Sequence, residues 1–314
     1  MTSSRPAPLR PRALRPGDRV AIVAPGGPVD PRRLDAGVAL LRSWGLDPVV
    51  MPHVRDRRGY LAGSDADRLA DLIAAWADPQ VRGILCARGG YGCQRIVDDL
   101  DLDLVVRDPK VFCGFSDVTA LHLALGRTGL VTLHGPMAAW NPDRTGPVAA
   151  EWLRRALCDP SPLGLVRARP GTTTTTVASG RVTAPLVGGN LSLLAASAGT
   201  SDAVDARGRL LLLEEVGEEP YRVDRLLRQL RRSGALDGVA GVVVGECVGC
   251  DAATPDDIGV LDVLADALGD LGVPVSYGLP LGHGPEQVTV PLGVAATLDA
   301  DAGTLDLVES ATTS

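Results

Sequence analysis

The chain has 314 residues, which is long enough for two domains that each bury an apolar core. The residues A, V, I, L, M, F, W, Y and C make up 45% of it and aromatic residues only 3%, so we expect Ala, Val and Leu to build the core. The formal net charge of -7 at pH 7 and the isoelectric point of about 5.2 argue against a basic surface, and so against a nucleic-acid partner.

The opening residues are basic and rich in proline, and no apolar signal-peptide core follows them. Nowhere do about 18 apolar residues run without interruption, the length that a membrane-spanning helix needs. We therefore expect a cytoplasmic protein without a membrane partner, with a flexible N-terminus over residues 1–16. The six cysteines are too few and too irregularly spaced for a disulfide framework, so we expect reduced, mostly buried thiols.

In the first half of the chain, short apolar runs alternate with helical patterns. The first run, 19–24, is followed by Asp30, which is placed to cap a helix. Further strands are predicted at 83–87, 111–113 and 130–133, and helices at 65–76, 94–98 and 117–125. Buried strands that alternate with helices predict a parallel sheet covered on both faces, as in flavodoxin-like and amidotransferase-like domains. We assign this α/β domain to residues 17–140.

Residues 141–184 have a different composition. They are rich in Pro, Asp and Arg, with five consecutive threonines at 172–176 and one helical pattern at 148–157. We predict that this segment links two domains.

A second, smaller α/β domain is predicted over residues 185–314. Asn190 is placed to cap a helix over 191–198. Strands follow at 210–213, 241–245 and 275–277, and helices at 222–232 and 258–268. The last segments, 288–290, 295–298 and 304–308, alternate and are broken by Gly and Asp, which predicts a small antiparallel or barrel-like end.

Ser116 lies where the apolar run 111–113 turns at Gly114 into a predicted helix. At a strand-to-helix turn a hydroxyl is exposed at the sheet edge, and the first helical N–H groups can bind a developing oxyanion. The match to the G-x-S-x-G pattern is partial, because Val118 replaces the second glycine. On this segment alone, a simple helix cap is the alternative interpretation of Ser116.

A serine nucleophile needs a base, and the chain has four histidines. His283 is flanked by glycines and a proline, so turn geometry can aim its imidazole into a cleft; an exposed loop histidine is the alternative. Glu214 and Glu215 follow four leucines at the end of a predicted buried strand. A carboxylate there needs a partner, such as an imidazole that it orients, although acids at this position also favour the start of the following helix. The sequence leaves the choice between the two glutamates open.

Six blocks of the chain, in order from about Gly17 to about Leu307, together resemble the serine LD-carboxypeptidases, whose relatives include the microcin-immunity peptidases. The blocks are RGGYG (88–92), GFSD (114–117), GGNL (188–191), LEEVGE with YRVDR (213–218 and 221–225), GH (282–283) and PLG (291–293). The resemblance implies a Ser-Glu-His triad, with Ser116 as nucleophile, His283 as general base and acid, and Glu214 orienting the imidazole. It implies no metal and no cofactor.

The oxyanion hole of this family consists of backbone N–H groups. Here these would be the N–H of Asp117 and one from the turn at Gly89 and Gly90, where glycine lets the main chain approach the scissile carbonyl. Arg88 is a candidate for binding the substrate carboxylate, with simple surface solvation as the alternative. The chain departs from the family pattern at Glu215, where Asp is common; this keeps the charge and leaves a second candidate for the orienting role.

By this resemblance the partner is a peptide or muropeptide substrate. The expected reaction is hydrolysis of the amide bond to the terminal D-Ala of a murein tetrapeptide through an acyl-enzyme, in peptidoglycan recycling, by a homodimer whose triad assembles at the domain junction. The related alternative is a self-immunity peptidase that cleaves a peptidyl-nucleotide antibiotic or an acyl-sulfamoyl adenylate, with Trp140 as the candidate stacking aromatic. The alternatives from other classes are a non-catalytic ligand-binding protein and a glutamine-amidotransferase-like hydrolase, which would need Cys at the elbow.

Two groups of cysteines allow further alternatives. Cys93 and Cys113 lie near the elbow, which raises a thiol mechanism. Cys247 and Cys250 form a C-x-x-C pair of the kind that binds zinc or cycles between thiol and disulfide, although no second pair or nearby histidine completes a site.

Overall fold

The computed structural model describes residues 7–142, 145–254 and 256–314. The chain divides into two compact units. The first comprises Met1–Ser161 with two returning segments, Thr289–Gly293 and Ser310–Ser314, and the second comprises Pro162–Val288 with Val294–Glu309. The division therefore falls inside the segment predicted as a linker, and the C-terminal part of the chain contributes to both units.

The helices and strands follow the predicted alternation. In the first half they are β1 (Arg19–Val23), α1 (Pro31–Ser43), β2 (Asp47–Val50), α2 (Asp65–Ala77), β3 (Val81–Cys86), α3 (Leu102–Arg107), β4 (Val111–Gly114), α4 (Thr119–Gly126), β5 (Thr132–His134) and α5 (Pro147–Cys158). In the second half they are β6 (Gly164–Val166), β7 (Thr175–Ala178), β8 (Arg181–Asn190), α6 (Leu191–Ala196), β9 (Leu210–Val216), α7 (Pro220–Arg232), β10 (Gly241–Val248), α8 (Val260–Leu268), β11 (Val275–Leu279), β12 (Val290–Leu292), β13 (Ala295–Asp299) and β14 (Thr304–Leu307).

The first unit contains a six-stranded sheet in the order β12-β5-β4-β3-β1-β2. Strands β1 to β5 are parallel, as predicted, and β12 pairs antiparallel with β5 at the edge. The order 2-1-3-4-5 of the parallel strands is that of flavodoxin-like folds, in which ligands bind at the carboxyl ends of the strands where the order reverses. The turns after β1, β3 and β4 therefore lie together at the end of the sheet where its parallel strands finish, and this is where a ligand site is expected.

The second unit contains an eight-stranded sheet in the order β6-β14-β13-β8-β9-β10-β11-β7. Its central strands, β8 to β11, are parallel, and the outer ones pair antiparallel. The predicted antiparallel end is present, but the expected barrel-like arrangement is wrong: in the described residues the sheet stays open, with β6 and β7 as its two edges. The reason is that β13 and β14 extend the edge of β8, whereas β12 joins the other sheet.

Several segments differ from the sequence expectations. The threonine run predicted within the linker supplies part of β7, which pairs with β11. The predicted helix at 94–98 is instead two short 3₁₀ turns, Cys93–Arg95 and Val97–Asp99. Within the predicted flexible N-terminus, residues 1–6 lie outside the described residues, whereas the backbone N–H of Leu9 donates to the Gly129 carbonyl at 2.7 Å. Among the described helices, none combines the length and the apolar character needed to cross a membrane.

Candidate active site

Ser116 occupies a strained turn at the end of β4. Its φ angle is 63°, in the left-handed region, and it begins a 3₁₀ turn that leads into α4. This conformation costs a residue with a Cβ about 1–2 kcal/mol. Two positions before Ser116, Gly114 needs to be glycine, because a Cβ there would lie only 2.8 Å from Cγ1 of Val118. Strain of this kind concentrates at functional positions, and here it presents a hydroxyl at the carboxyl edge of the parallel sheet.

The turn after β3 approaches Ser116 closely. A Cβ on Gly89 would lie 2.9 Å from the Ser116 Cβ and 3.1 Å from its Oγ, so only glycine lets the main chain come so near. The carbonyl of Gly89 accepts a hydrogen bond from the Gly27 N–H at 2.7 Å, which ties this turn to the one after β1. Gly90 has φ of 93°, a conformation that favours glycine. Both predicted glycines therefore lie in a backbone turn packed against the serine.

Asp117 supports this turn with its side chain. The carboxylate is buried, and its Oδ2 accepts a hydrogen bond from the backbone N–H of Cys93 at 2.9 Å. A Cβ on Gly26 would lie 2.7 Å from the same oxygen, so the turn after β1 also packs on the carboxylate. The side chain of Asp117 thus holds the two glycine-rich turns, while its backbone N–H follows Ser116 directly.

A buried arginine that the sequence analysis missed is hydrogen-bonded to backbone carbonyls of the same turns. Arg68 on α2 donates from Nη1 to the carbonyl of Gly92 at 3.0 Å and to the carbonyl of Pro25. Its Nη2 pairs with Asp65 at 2.5 Å. No local signal could have found it, because an arginine in an amphipathic helix normally faces solvent. Arg88, which was predicted, is exposed, and its Nη1 donates to the Pro28 carbonyl at 2.6 Å.

In the second unit, Glu214 and His283 are joined by a hydrogen bond. The distance from His283 Nδ1 to Glu214 Oε2 is 2.7 Å. The carboxylate lies at the end of β9 and is 0% exposed, whereas the imidazole is 16% exposed. Gly282 has φ of 102°, and a Cβ there would overlap the Glu214 carboxylate. The glycine before the histidine is therefore required by the close packing of the loop on the glutamate.

Glu215 faces a different part of the second unit. Its Oε2 accepts hydrogen bonds from the backbone N–H of Ser192 at 2.8 Å and from the hydroxyl at 2.7 Å, and its Oε1 accepts from Asn190 Nδ2 at 3.1 Å. Asn190 in turn caps α6 through the Leu193 N–H at 3.2 Å. Glu215 thus anchors the start of α6, and the contact with the imidazole, which the sequence left open, is made by Glu214.

Similar proteins identify the family. Residues 20–135 match the LD-carboxypeptidase N-terminal domain, and residues 183–298 match the LD-carboxypeptidase C-terminal domain. A Streptomyces coelicolor relative is 52% identical over 305 residues, 95% of this chain and 96% of that one. The chain belongs to the LD-carboxypeptidase family. It is accordingly a hydrolase, a serine-type carboxypeptidase, as the resemblance implied.

Proteins and solved structures that are similar to this LD-carboxypeptidase include murein peptidases and a self immunity protein. The murein tetrapeptide carboxypeptidase of Pseudomonas aeruginosa is 32% identical over 288 residues, covering 90% of this chain and 94% of that one. The muramoyltetrapeptide carboxypeptidase structure from Oxalobacter formigenes has a TM-score of 0.79 at 31% identity, covering 92% and 99%. The microcin C7 self immunity protein MccF in complex with aspartyl sulfamoyl adenosine has a TM-score of 0.87 at 23% identity, covering 98% and 100%. This last likeness shows the fold alone.

The other histidines of the LD-carboxypeptidase have local partners. His122 is buried, with Nε2 2.9 Å from the Gly114 carbonyl and Nδ1 2.8 Å from Oγ1 of Thr132. Because a carbonyl only accepts, Nε2 carries the proton, and burial lowers the pKa of His122 to about 4. His134 is buried at the end of β5 and lies edge-on to Phe115, with ring centroids 5.9 Å apart. Both support the sheet beneath the serine.

The thiols near the serine are buried. Burial raises the pKa of Cys93 and of Cys113 well above the ordinary range, so both stay protonated at neutral pH. This disfavours a thiol mechanism. In the C-x-x-C pair, a hydrogen bond between the two thiols raises the pKa of Cys247 and lowers that of Cys250.

In the part of the chain that the structure describes, one group of three residues could hold a metal ion. The group consists of His53, Asp56 and Asp67, whose ligand atoms lie within 4.8 Å of one another. His53 Nδ1 is 2.9 Å from Asp56 Oδ2, and Asp67 accepts from the hydroxyl of Ser64, which caps α2. These contacts are those of a surface ion-pair cluster beside a helix start.

Proposed function

We propose that this LD-carboxypeptidase hydrolyses the amide bond to the terminal D-Ala of murein tetrapeptides, with Ser116, Glu214 and His283 acting together as its catalytic triad. The hydrogen bond from His283 Nδ1 to Glu214 Oε2 carries the proposal. A neutral imidazole whose Nδ1–H is donated to a carboxylate has its basic lone pair on Nε2, which is the tautomer that a general base needs.

The proposed reaction has two steps. His283 removes the proton of the Ser116 hydroxyl, and the oxygen attacks the amide carbonyl carbon. The N–H groups of Asp117 and of the Gly89–Gly90 turn would bind the oxyanion. The imidazolium then gives its proton to the departing D-Ala amine, and water hydrolyses the acyl-enzyme with the same histidine as base. Glu214 stabilises the imidazolium formed in both steps.

We assign Arg88 to the carboxylate of the terminal D-Ala. The assignment is supported by its exposure on the turn that precedes Gly89 and by the hydrogen bond that its Nη1 donates to the Pro28 carbonyl, which fixes the guanidinium in place. A loss of activity of no more than about twofold in Arg88→Ala would remove this assignment.

A second candidate function is self-immunity against a peptidyl-nucleotide antibiotic or an acyl-sulfamoyl adenylate. It is favoured by the fold likeness to MccF, whose complex holds aspartyl sulfamoyl adenosine. Trp140, the aromatic predicted to stack on an adenine, is only 8% exposed. Little of its ring is accessible in this structure, which favours the murein peptide.

The experiment that separates the two is mass-spectrometric hydrolysis of a murein tetrapeptide and of aspartyl sulfamoyl adenosine, side by side with chelator present. We expect the wild type to release D-Ala and Ser116→Ala to release none. Cleavage of the adenylate alone would replace the proposal by the immunity function. If Ser116→Ala cleaved the tetrapeptide as fast as the wild type, the serine would not be the nucleophile.

Three further features are proposed on the family resemblance: a homodimer, a cytoplasmic location and a role in peptidoglycan recycling. Light scattering of the purified full chain tests the first. Accumulation of uncleaved tetrapeptides in the cytoplasmic fraction of a strain carrying Ser116→Ala tests the other two.

A further inference from the structure

His283 lies in a loop that has glycine on both sides. The loop, residues 280–288, is closed by a hydrogen bond from the Val288 N–H to the Pro280 carbonyl at 2.9 Å. Neither Gly282 nor Gly284 has a side chain to pack, and glycine is the most conformationally free residue. A catalytic imidazole in such a loop needs contacts from outside the loop to fix its position.

Two carboxylates from neighbouring strands supply such contacts, one at the glycine before the histidine and one at the glycine after it. A Cβ on Gly282 would overlap the Glu214 carboxylate, and a Cβ on Gly284 would overlap Oε2 of Glu246. Glu214 lies on β9 and Glu246 on β10, which pair in parallel. Because β9 and β10 are parallel, their carboxyl ends lie at the same end of the sheet, and both glutamates reach the same loop.

Glu246 is held in place by a cation. Arg169 donates from Nε to Oε1 of Glu246 at 2.9 Å, and its Nη2 donates to the same oxygen. The side chains of Arg169 and Glu246 are only 23% and 15% exposed. Oε2 is buried and has no hydrogen-bond partner among the described residues; it faces Gly284. A carboxylate with so little exposure to water needs its cation, so Arg169 and Glu246 support the loop together.

We infer that Glu246, held by Arg169, is a positioning residue for His283, supporting the histidine loop at Gly284 as Glu214 does at Gly282. The inference rests on the proposed function, since it makes the position of a catalytic imidazole depend on an ion pair outside the proposed triad. It also explains a second glycine in the Gly-His-Gly segment: the φ angle of Gly284 is not in the left-handed region, so the requirement for glycine there is one of space.

The kinetic test uses Glu246→Gln, which keeps the size of the side chain and removes the charge that holds Arg169. We expect kcat for D-Ala release to fall about tenfold or more, since a shift of about 1 Å in a catalytic group can cost about 100-fold, with KM unchanged within about threefold. The double variant Arg169→Met/Glu246→Gln should lose no more than the single variant, because the pair acts as a unit. Glu151→Gln, in the exposed Arg154–Glu151 pair, is the matched control.

A second measurement does not need turnover. We expect the proton on His283 Nδ1, hydrogen-bonded to Glu214, to give a downfield signal in proton NMR that His283→Gln removes. We expect this proton to exchange with water at least about tenfold faster in Glu246→Gln than in the wild type or the Glu151→Gln control.

The outcomes separate the two proposals. A folded Glu246→Gln with kcat and proton exchange within about twofold of the wild type would overturn the positioning role. If the wild type released no D-Ala, the proposed function would fail, and proton exchange would still decide whether Glu246 orders the loop. If Glu246→Gln did not fold, Gly284→Ala replaces it: the added methyl must displace the Glu246 carboxylate and lower kcat, whereas Gly126→Ala, with open space around its Cβ, must not.

Discussion

Replacing Glu214 by glutamine separates the roles of two adjacent acids. The charges on Glu214 and on the imidazolium of His283 are delocalised, with their nearest atoms 2.7 Å apart. Unit charges about 4 Å apart attract by about 4 kcal/mol at an effective dielectric constant of about 20. A glutamine carbonyl still accepts the Nδ1–H, so part of this stabilisation remains. We expect a loss of about 3 kcal/mol in transition-state stabilisation, which is roughly 100-fold in kcat.

Glu215→Gln is the matched comparison and should have the opposite effects. Oε2 of Glu215 accepts two hydrogen bonds from Ser192, and a glutamine NH₂ placed there accepts neither. An unsatisfied buried group costs about 1–3 kcal/mol of unfolding free energy, so we expect a melting temperature lower by several degrees, at about 2–4 °C per kcal/mol. Glu215→Gln should keep most of the wild-type kcat. In Glu214→Gln, removal of a buried charge whose Oε1 has no partner among the described residues should leave stability unchanged or higher.

The assay is release of D-Ala from a murein tetrapeptide under steady-state conditions, combined with thermal unfolding of each variant. The reasoning is refuted if Glu214→Gln keeps more than about a third of the wild-type kcat, or if Glu215→Gln loses as much kcat as Glu214→Gln does. The first result would mean that the observed hydrogen bond to the imidazole is structural only, and the second would mean that Glu215 supports catalysis as much as Glu214 does.

Two further predictions concern the first unit. Gly89→Ala places a methyl group 2.9 Å from the Ser116 Cβ and displaces the oxyanion donors, so we expect at least about a 100-fold loss of kcat for D-Ala release. Gly126→Ala is the control and should keep the wild-type kcat, whereas wild-type kinetics in Gly89→Ala would contradict the proposed oxyanion turn. For His122, burial lowers the folded-state pKa to about 4, below the usual unfolded value of 6.5. The unfolded chain therefore binds more protons between these pH values, and stability falls as the pH falls through them. We expect this residue to lower the free energy of unfolding by about 2 kcal/mol between pH 7 and pH 5, measured by denaturant titration. His122→Gln should reduce that pH dependence by this amount. His53→Gln should not, because the pKa of His53 is raised by its hydrogen bond to Asp56 and its contribution has the opposite sign. Equal pH dependence of stability in the wild type and in His122→Gln would contradict the assignment.

Local patterns were sufficient to predict the parallel sheet of the first unit, the turn at Ser116 and the helix caps. A buried strand, the residue that ends it and the residue that caps the next helix are neighbours in sequence, so their chemistry is visible without the fold. Asp30 illustrates this: its carboxylate accepts from the Arg32 N–H at 2.8 Å, as a capping residue should.

The choice between Glu214 and Glu215 was made by tertiary structure. Successive side chains of a strand point to opposite faces, so one glutamate had to face away from the other. Which face receives His283 depends on a loop 69 residues further along the chain, and which receives α6 depends on Asn190. No local pattern contains that information.

The sheet edges were decided in the same way. β12 has three residues and pairs with β5, more than 150 positions away in sequence, and β7 is made partly of a threonine run that reads as a linker. A strand of three or four residues can show an alternating pattern, as 288–290 does, but the pattern does not name its partner, so its pairing is determined by which sheet edge is available. The sequence by itself thus determined the chemistry at the strand ends, and only the folded chain determined which of those groups meet.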